Sequence, residues 1–289
     1  MMGSRPVKNV MLCPNKRRDG DMSATKRVAE MARACGAEPY ILPLTDEDGR
    51  EMRARSPEFA EALRKAELII AFGGDGTVLR AAKLAVGTGI PLLGINMGGK
   101  GFLAELEIGQ LDAVPQILSG GFEREKRLTL DVELRREGSA AVREIAINDA
   151  VLNGGGKVVD LSIYGDGHKI SHFTGDGVVI ATPTGSTAYS MAAGGPIVEP
   201  TAKNIIITPI CAHVLEAKPY VLVADRRVTV EVGAGKKNPV FFTVDGKDKR
   251  RVKSGDGVSV RKSGKDLCFA RIAGRSFYKR VSEKLGEAN

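Results

Sequence analysis

The sequence lacks the features that mark membrane and secreted proteins. No stretch approaches the roughly 18 consecutive apolar residues that a membrane-spanning helix needs. The N-terminus, MMGSRPVKNVMLCPNKRRDG, has only a short apolar run, without a basic start, an apolar middle and a small-residue cleavage site. We therefore expect a cytoplasmic protein without a membrane partner.

Cysteine and histidine are scarce, and their spacing fits no metal site. Neither residue type shows the C-x-x-C spacing of zinc and redox motifs or the H-E-x-x-H spacing of metalloproteases. We therefore assign no metal-binding residues and expect buried, reduced thiols. The cysteines are Cys13, Cys35, Cys211 and Cys268, and the histidines are His168, His172 and His213.

The chain of 289 residues carries 43 basic and 35 acidic side chains, a net charge of +8. Such an excess raises the local concentration of anionic partners such as phosphates, nucleotides, nucleic acid or lipid headgroups. The most basic run, DGKDKRRVK at 245–253, has no interleaved aromatic residues to stack on bases. We interpret the run as a solvated hairpin turn and expect no nucleic-acid partner.

The hydrophobic pattern changes near residue 125. Before it, short apolar runs such as ELIIAF and IPLLGIN alternate with helical patterns, which predicts an α/β domain with a parallel, Rossmann-like sheet. After it, RLTLDVELR and RVTVEV alternate apolar and polar residues between glycine-rich turns, which predicts an all-β sandwich. We predict domains at 1–125 and 126–275, and a C-terminal helix at 276–289 that packs back on the first domain.

The stretch GGDGTVLRAA, at 73–82, follows the apolar run ELIIAF and leads into a helical pattern. Ligands of open parallel sheets bind at the carboxyl ends of the strands, and the N–H groups of a helix N-terminus favour anions. Asp75 would repel a phosphate unless it accepts a hydroxyl proton or helps to organise Mg²⁺, so the stretch indicates phosphoryl transfer. The structural alternative is that Asp75 caps the following helix.

A second glycine stretch, GINMGGKGFLAEL at 94–106, also follows a predicted strand. It nearly matches the Walker A pattern G-x-x-x-x-G-K-[ST], but Gly101 stands where the Mg²⁺-binding hydroxyl belongs. We therefore reject a P-loop. Neither glycine stretch contains G-x-G-x-x-G, which argues against a Rossmann dehydrogenase.

A third stretch, GDGVVIATPTGSTAYSMAAGGPI at 175–197, combines a predicted strand with small hydroxyl residues and a tyrosine. Small polar groups beside an aromatic ring suit a pocket for a flat base and a ribose. The segment GSTAY lacks the last glycine of the nucleophile elbow G-x-S-x-G, so a serine hydrolase is not expected.

Taken together, these stretches resemble the NAD kinase family, which phosphorylates the adenosine-ribose 2′-hydroxyl of NAD. The resemblance runs from GGDGT through NMGGKGFL and INDAVLN to DGVVIATPTGSTAYSMAAGGPI, TPICAHVLEAKPYVL and VDGK. GGDGT alone is weak, because lipid kinases related to diacylglycerol kinase share it. The segment TPTGSTAYS followed by TPICAH is far more specific. The resemblance implies an α/β domain of phosphofructokinase-like type joined to a β-sandwich.

The resemblance also implies roles for individual residues. Asp75 would be the base that acts on the 2′-hydroxyl. The residues expected to contact NAD are Asp75, Gly76, Arg80, Asn148, Asp149, Asp176, Thr187, Ala188, Tyr189, Ser190 and Lys247. The residues expected to contact the donor phosphates are Gly73, Gly74, Gly76, Thr77, Gly98 and Lys100. For Asn148 and Asp149 a plain turn between two strands is the alternative.

The family resemblance implies ATP or polyphosphate as donor, a divalent metal such as Mg²⁺ held mainly by the donor's phosphates, and a homodimer or homotetramer. Two residues depart from the family pattern: Thr174 stands where many bacterial members carry Arg, and Lys247 where many carry Gln. Both bear on the choice between NAD and NADH and on the donor. The alternatives are a lipid or sphingoid-base kinase and a nucleotide sensor without catalysis.

Overall fold

The computed structural model describes residues 5–44, 57–99, 101–136, 140–213, 217–233, 238–274 and 276–286. Lys100, a predicted phosphate contact, lies outside them. The chain divides into two compact units, one formed by Met1–Lys126 with Leu267–Asn289 and the other by Arg127–Asp266. Among the described residues, no helix has the length and apolar character that crossing a membrane requires.

The first unit alternates strands and helices, as the sequence predicts. Its strands up to residue 127 are β1 (Asn9–Pro14), β2 (Glu38–Ile41), β3 (Leu68–Phe72), β4 (Leu92–Asn96), β5 (Leu106–Glu107) and β6 (Glu123–Arg127). Its helices in this part are α1 (Ser23–Ala34), α2 (Pro57–Lys65), α3 (Asp75–Ala85) and α4 (Val114–Leu118), with a 3-10 turn at Ile108–Ala113. Every residue of β3 and β4 is buried, as expected of parallel strands covered on both faces.

The second unit consists of two six-stranded antiparallel sheets. Its strands are β7 (Leu130–Arg135), β8 (Val142–Ala146), β9 (Asp149–Asn153), β10 (Val159–Gly165), β11 (His168–Gly175), β12 (Gly177–Ala181), β13 (Asn204–Ile210), β14 (Tyr220–Val223), β15 (Val228–Val232), β16 (Val240–Val244), β17 (Lys247–Val252) and β18 (Gly257–Lys262). One sheet has the order β11-β10-β15-β18-β7-β8 and the other β14-β13-β12-β9-β16-β17. A 3-10 turn at Thr184–Thr187 precedes α5 (Tyr189–Ala192).

Alternation along the strands decides which side chains fill the sandwich. Leu152 and Ile180 point into the core between the two sheets, whereas their neighbours Val151 and Val179 pack on the opposite face of the same sheet. That opposite face is covered in part by Ala193 and other residues after β12. The segment that carries TPTGSTAYS therefore lies outside the sandwich core, on one face of the second sheet.

The chain returns to the first unit after residue 266. Strand β19 (Leu267–Arg271) lies between β4 and β6, so the first sheet has the order β2-β1-β3-β4-β19-β6 with β5 beside β4. The predicted boundary at 275 is corrected by this strand, which is entirely buried and pairs parallel to β4. The last helix, α6 (Phe277–Leu285), belongs to the same unit.

The four cysteines are free thiols, and two of them differ from the prediction of burial. Cys13 and Cys268 are buried in strands of the first sheet, whereas Cys35 and Cys211 are exposed. Cys35 caps the C-terminus of α1 and Cys211 directly follows β13. Both therefore lie just past the ends of buried elements, where the chain turns towards solvent.

Candidate active site

Asp75 is the first residue of α3 and is held by the second glycine stretch. Its carboxylate accepts the backbone N–H of Phe102 at 2.9 Å and that of Leu103 at 3.1 Å. The residue at the N-cap position of α3 is Gly74. The alternative that Asp75 serves to cap its own helix is therefore not supported, because its carboxylate is directed to a different segment.

One glycine of the second stretch, Gly101, is required by its close approach to Asp75. A Cβ atom at this position would lie 2.7 Å from Oδ1 of Asp75. A side chain there would push the carboxylate away from the N–H groups of Phe102 and Leu103. The residue that breaks the Walker A pattern is thus the one that lets the backbone approach Asp75.

Backbone hydrogen bonds join the two glycine turns. The N–H of Gly73 donates to the carbonyl oxygen of Ile95 at 3.0 Å. The N–H of Met97 donates to the carbonyl oxygen of Gly73 at 3.4 Å. The exposed Gly98 follows directly. The structure therefore brings together Gly73, Gly74, Asp75, Gly76 and Gly98, with Thr77 and Arg80 on the first turns of α3.

A cavity of about 530 Å³ opens beside the N-terminus of α3. Its side chains are mostly cationic or amide, which suits an anionic ligand. Asn15 connects the loop after β1 to α3 on the two sides of the cavity, because Nδ2 of Asn15 donates to Oγ1 of Thr77 at 2.9 Å. The lining residues are Asn15, Arg17, Arg18, Gly74, Gly76, Thr77 and Arg80.

Asn15, Arg17 and Arg18 are not among the residues that the sequence predicts for the site. They follow β1, which pairs parallel with β3, so their loop meets the GGDGT turn at the same edge of the sheet. The buried Asp19 fixes this loop by accepting the N–H groups of Ala24 and Thr25 at the start of α1. The basic run NKRR after a predicted strand was the available signal.

In the second unit, Asp245 holds the turn that carries Asn148 and Asp149. Its carboxylate accepts the backbone N–H groups of three consecutive residues: Ile147 at 3.2 Å, Asn148 at 2.7 Å and Asp149 at 3.2 Å. Asp245 has a left-handed conformation, with φ of 50°, in the hairpin between β16 and β17. The predicted site residues include the neighbouring Lys247 but not this aspartate, although it lies in the VDG segment of the sequence.

Asp149 is buried next to this carboxylate. Burial, and secondarily the charge of Asp245, raise the pKa of Asp149 to about 7. Desolvation penalises the charged form of a carboxyl group, and a like charge penalises it further. Near neutral pH, Asp149 is therefore protonated in a substantial fraction of molecules and can donate a hydrogen bond as well as accept one.

The TPTG segment packs directly on the Asn148 turn. The hydroxyl of Thr182 donates to the carbonyl oxygen of Ile147 at 2.6 Å, and a Cβ atom on Gly185 would lie 2.1 Å from the carbonyl oxygen of Asn148. Within the described residues, the buried side-chain oxygens Oδ1 of Asn148 and Oγ1 of Thr184 have no hydrogen-bond partner. Unsatisfied buried polar atoms carry a free-energy cost, so one in each of these two adjoining segments indicates a place for a polar ligand.

The predicted residues of the third stretch differ in exposure. Tyr189 is 43% exposed, and burial together with the nearby Cys211, Asp176 and Asp149 raises its pKa. Ser190, in contrast, is fully buried, and its hydroxyl shares a 2.9 Å hydrogen bond with Thr208. The ring of Tyr189 is thus open to solvent, while the buried hydroxyl of Ser190 attaches the turn to Thr208 on β13.

The remaining predicted residues lie on separate elements of the second unit. Thr187 donates from Oγ1 to the carbonyl oxygen of Thr184 at 3.3 Å, next to the partly buried Ala188. Lys247 begins β17, and partial burial lowers its pKa. Thr174 lies on β11, where its carbonyl oxygen accepts the N–H of His213 at 2.8 Å.

Metal ligands are not clustered in the part of the chain that the structure describes. No group of three or more His, Cys, Asp or Glu side chains there is arranged to hold a metal ion. Each oxygen of the Asp75 carboxylate accepts a single described N–H, and a carboxylate offers about four lone-pair sites. Asp75 therefore has room for a hydroxyl proton or for one bond to a cation.

Family models match both units. The model described as the ATP-NAD kinase N-terminal domain matches residues 15–125, and the one described as the ATP-NAD kinase C-terminal domain matches residues 148–272. The NAD kinase of Ruminiclostridium cellulolyticum is 36% identical over 97% of this chain and 99% of its own. That of Carboxydothermus hydrogenoformans is 37% identical over 80% of this chain and 84% of its own.

Solved structures share the fold. The crystal structure of yeast NADH kinase complexed with NADH matches 99% of this chain and 89% of that chain, with a TM-score of 0.83 and 24% identity. The NAD kinase from Archaeoglobus fulgidus in complex with ATP matches 97% of this chain and 100% of that chain, with a TM-score of 0.72 and 22% identity.

The predicted fold class, a parallel α/β domain joined to a β-sandwich, is confirmed by both the architecture and these matches. The comparisons lend no support to a lipid kinase, because the curated relatives over nearly the full length are NAD kinases. The chain therefore belongs to the NAD kinase family.

Proposed function

We propose that this protein transfers the γ-phosphoryl group of ATP to the adenosine-ribose 2′-hydroxyl of NAD, giving NADP and ADP. Membership of the NAD kinase family supports the reaction class. The observation that carries the assignment of the base is the Asp75 carboxylate, fixed by Phe102 and Leu103 at the head of α3.

Asp75 would act as the general base. Its carboxylate has unused lone pairs and accepts the proton of the 2′-hydroxyl as the new O–P bond forms and the bond from the γ-phosphorus to the bridging oxygen breaks. Phosphoryl transfer depends mainly on positioning and on charge stabilisation. A carboxylate that two backbone N–H groups hold in place meets the first requirement.

The donor phosphates would occupy the cavity beside α3. The free N–H groups of a helix N-terminus favour phosphate, and Arg17, Arg18 and Arg80 add positive charge to the same cavity. Its volume of about 530 Å³ is within the usual range for small-molecule sites. When bound, Mg²⁺ would neutralise charge on the transferring phosphoryl group, and its ligands would be the donor's phosphates with at most one carboxylate, for which Asp75 fits.

NAD would bind along the turns of the second unit. The buried oxygens of Asn148 and Thr184 have no partner among the described residues, so they can accept hydrogen bonds from a ligand. The partly exposed ring of Tyr189 offers a stacking surface next to Asp176 and Asp149. We propose that Ser190 acts here as a support for the turn, since its hydroxyl is already paired with Thr208.

Several finer predictions remain part of this proposal. Polyphosphate is a second candidate donor, and the cytoplasm and a homodimer or homotetramer are the expected setting and assembly. The partly buried Lys247 adds positive charge near the hairpin of Asp245, and Thr174 removes one cation relative to the family pattern. Both residues bear on the preference between NAD and NADH.

A coupled assay for NADP tests the proposal. The protein is incubated with NAD, MgCl₂ and ATP, and the controls are Asp75→Asn and a reaction without metal. We expect NADP from the wild type, and a turnover at least about 100-fold lower from Asp75→Asn with NAD binding retained. Near-normal turnover by the variant would refute the role of Asp75. NAD binding without NADP from either ATP or polyphosphate would favour the sensor.

A further inference from the structure

A buried ion cluster joins the C-terminal segment of the chain to the loop that precedes β5. We call Glu105, Arg271 and Arg280 the Glu105 cluster. Oε2 of Glu105 accepts from Nη1 of Arg271 at 2.7 Å and from Nη2 of Arg280 at 3.0 Å, while Oε1 accepts the N–H of Ile272 at 3.1 Å. The Glu105 side chain has no solvent exposure, and those of Arg271 and Arg280 are 8% and 16% exposed.

The same two arginines also reach the main chain that holds Asp75. Nη1 of Arg280 donates to the carbonyl oxygen of Phe102 at 3.4 Å, and Nη1 of Arg271 donates to that of Leu103 at 3.5 Å. The N–H groups of Phe102 and Leu103 point the other way, to the carboxylate of Asp75. These two residues are thus bound on one side by Asp75 and on the other by the C-terminal segment.

Stability alone is a weak reason for such a cluster. Burying charged groups costs desolvation energy, and a buried ion pair often stabilises a fold no more than apolar residues of the same size. Arg271 binds Glu105 at 2.7 Å and Glu125 at 3.0 Å, so Glu105 keeps one bound cation when Arg280 is removed, although one negative charge is then left uncompensated. Arg280 is the more exposed of the two arginines and lies on α6 and not in the buried strand β19, so it is the better arginine to replace in a test of geometry.

We propose that Arg280 is a positioning residue for Asp75 and acts through the Phe102–Leu103 main chain. The inference rests on the proposed function of Asp75 as the base. Arg280 and Glu105 fix the position of the Phe102–Leu103 segment. The segment in turn fixes the two N–H groups that orient the carboxylate of Asp75. Loss of Arg280 would leave the substrate sites intact and would displace the base.

Three variants test this: Arg280→Met removes the charge and the hydrogen bonds, Arg280→Lys keeps the charge, and Lys279→Met is the matched control. Lys279 is on the same helix, where it pairs with Glu283 on the exposed surface. We expect Arg280→Met to lower kcat about tenfold, since small displacements of a reacting group are costly, with KM for NAD within about twofold. Arg280→Lys should retain an intermediate kcat, and Lys279→Met should match the wild type.

Amide hydrogen exchange provides a readout that does not depend on activity. The amides of Phe102 and Leu103 should exchange faster in Arg280→Met than in the wild type or in Lys279→Met. An unchanged kcat, or unchanged exchange at these two amides, would overturn the proposal. If Arg280→Met does not fold, Arg280→Lys decides by the same two measurements. A wild type that makes no NADP would refute the proposed function, and the exchange data would still decide whether Arg280 positions this segment.

Discussion

Two hydrogen bonds join Asp149, at the start of β9, to Asp245, just after the neighbouring strand β16. The N–H of Asp149 donates to the carboxylate of Asp245 at 3.2 Å, and the N–H of Asp245 donates to the carbonyl oxygen of Asp149 at 2.9 Å. Both side chains are buried, so the two strands are joined where two carboxyl groups also come close. This arrangement fixes the turn and perturbs the ionisation of Asp149 at the same time.

The raised pKa of Asp149 predicts a pH-dependent stability. The ordinary pKa of 3.8 rises to about 7 in the fold, so between these values the folded chain holds a proton that the unfolded chain has lost. The free energy of unfolding therefore falls as pH rises through this window, by at most about 4 kcal/mol. The free energy of unfolding of Asp149→Asn should lack this fall. The difference between Asp149→Asn and the wild type, measured by urea unfolding, should therefore shift by about 2 kcal/mol in favour of the variant from pH 5 to pH 8.

The exposed carboxylate of Asp225, in the same unit, gives the control. The difference between Asp225→Asn and the wild type should stay nearly constant over the same pH range. A constant difference for Asp149→Asn as well would show that Asp149 titrates normally in the folded protein.

Asp245→Ala should destabilise the fold, because three backbone N–H groups lose their acceptor. We expect a loss of roughly 2–3 kcal/mol in the free energy of unfolding, together with weaker NAD binding in calorimetry. Asp245→Asn should lose much less, since the amide oxygen still accepts and asparagine tolerates the left-handed conformation. Asp248→Ala is the matched control, because Asp248 has a similar φ of 48° in the same hairpin. If Asp245→Ala and Asp248→Ala lost the same free energy of unfolding, backbone strain alone would explain the loss, and the prediction would be wrong.

Gly101→Ala should impair catalysis more than folding. The added Cβ atom would lie 2.7 Å from Oδ1 of Asp75, so the carboxylate must move away from Phe102 and Leu103. We expect kcat to fall by about tenfold or more, with little change in KM for NAD. Gly109→Ala is the control, since a Cβ atom there meets no atom within 4 Å. Steady-state kinetics with kcat equal in both variants would contradict the prediction.

Arg17→Ala and Arg18→Ala should weaken donor binding selectively. Loss of one charge-assisted contact costs about 1.5 kcal/mol or more, so we expect KM for ATP to rise roughly tenfold while KM for NAD changes little. The measurement is initial rates at varied ATP and at varied NAD. Arg33→Ala, on the exposed surface of α1, should behave as the wild type. An equal rise in both KM values would argue against a donor site in this cavity.

The sequence predicts the elements of the site better than their contacts. The turn at Gly73–Asp75 and the strand and helix around it follow from apolar periodicity and glycine placement. The partners of Asp75 do not, because they are the backbone N–H groups of Phe102 and Leu103, and any residue type supplies an N–H. Gly101 was visible in the sequence, yet its role depends on a distance that only the fold defines.

The domain boundary shows a limit of a different kind. The segment LCFAR at 267–271 is a continuous apolar run followed by arginine, a pattern typical of a parallel strand buried on both faces. That signal was present, but the preceding alternating strands favoured an extension of the sandwich. Asp245 was missed for a related reason. An Asp-Gly pair is typical of a hairpin turn, so its sequence gives no sign that the carboxylate binds Asn148, a residue far away in the chain.

The position of β19 has a consequence for the synthesis of the protein on the ribosome. This strand lies between β4 and β6 in space but follows all of the second unit in the chain. Domains generally fold as they emerge, so the sandwich can form while the first sheet still lacks an interior strand. The Glu105 cluster needs Arg271 and Arg280 as well. The nascent chain therefore completes the surroundings of Asp75 only after the whole second unit and Arg280 have been translated.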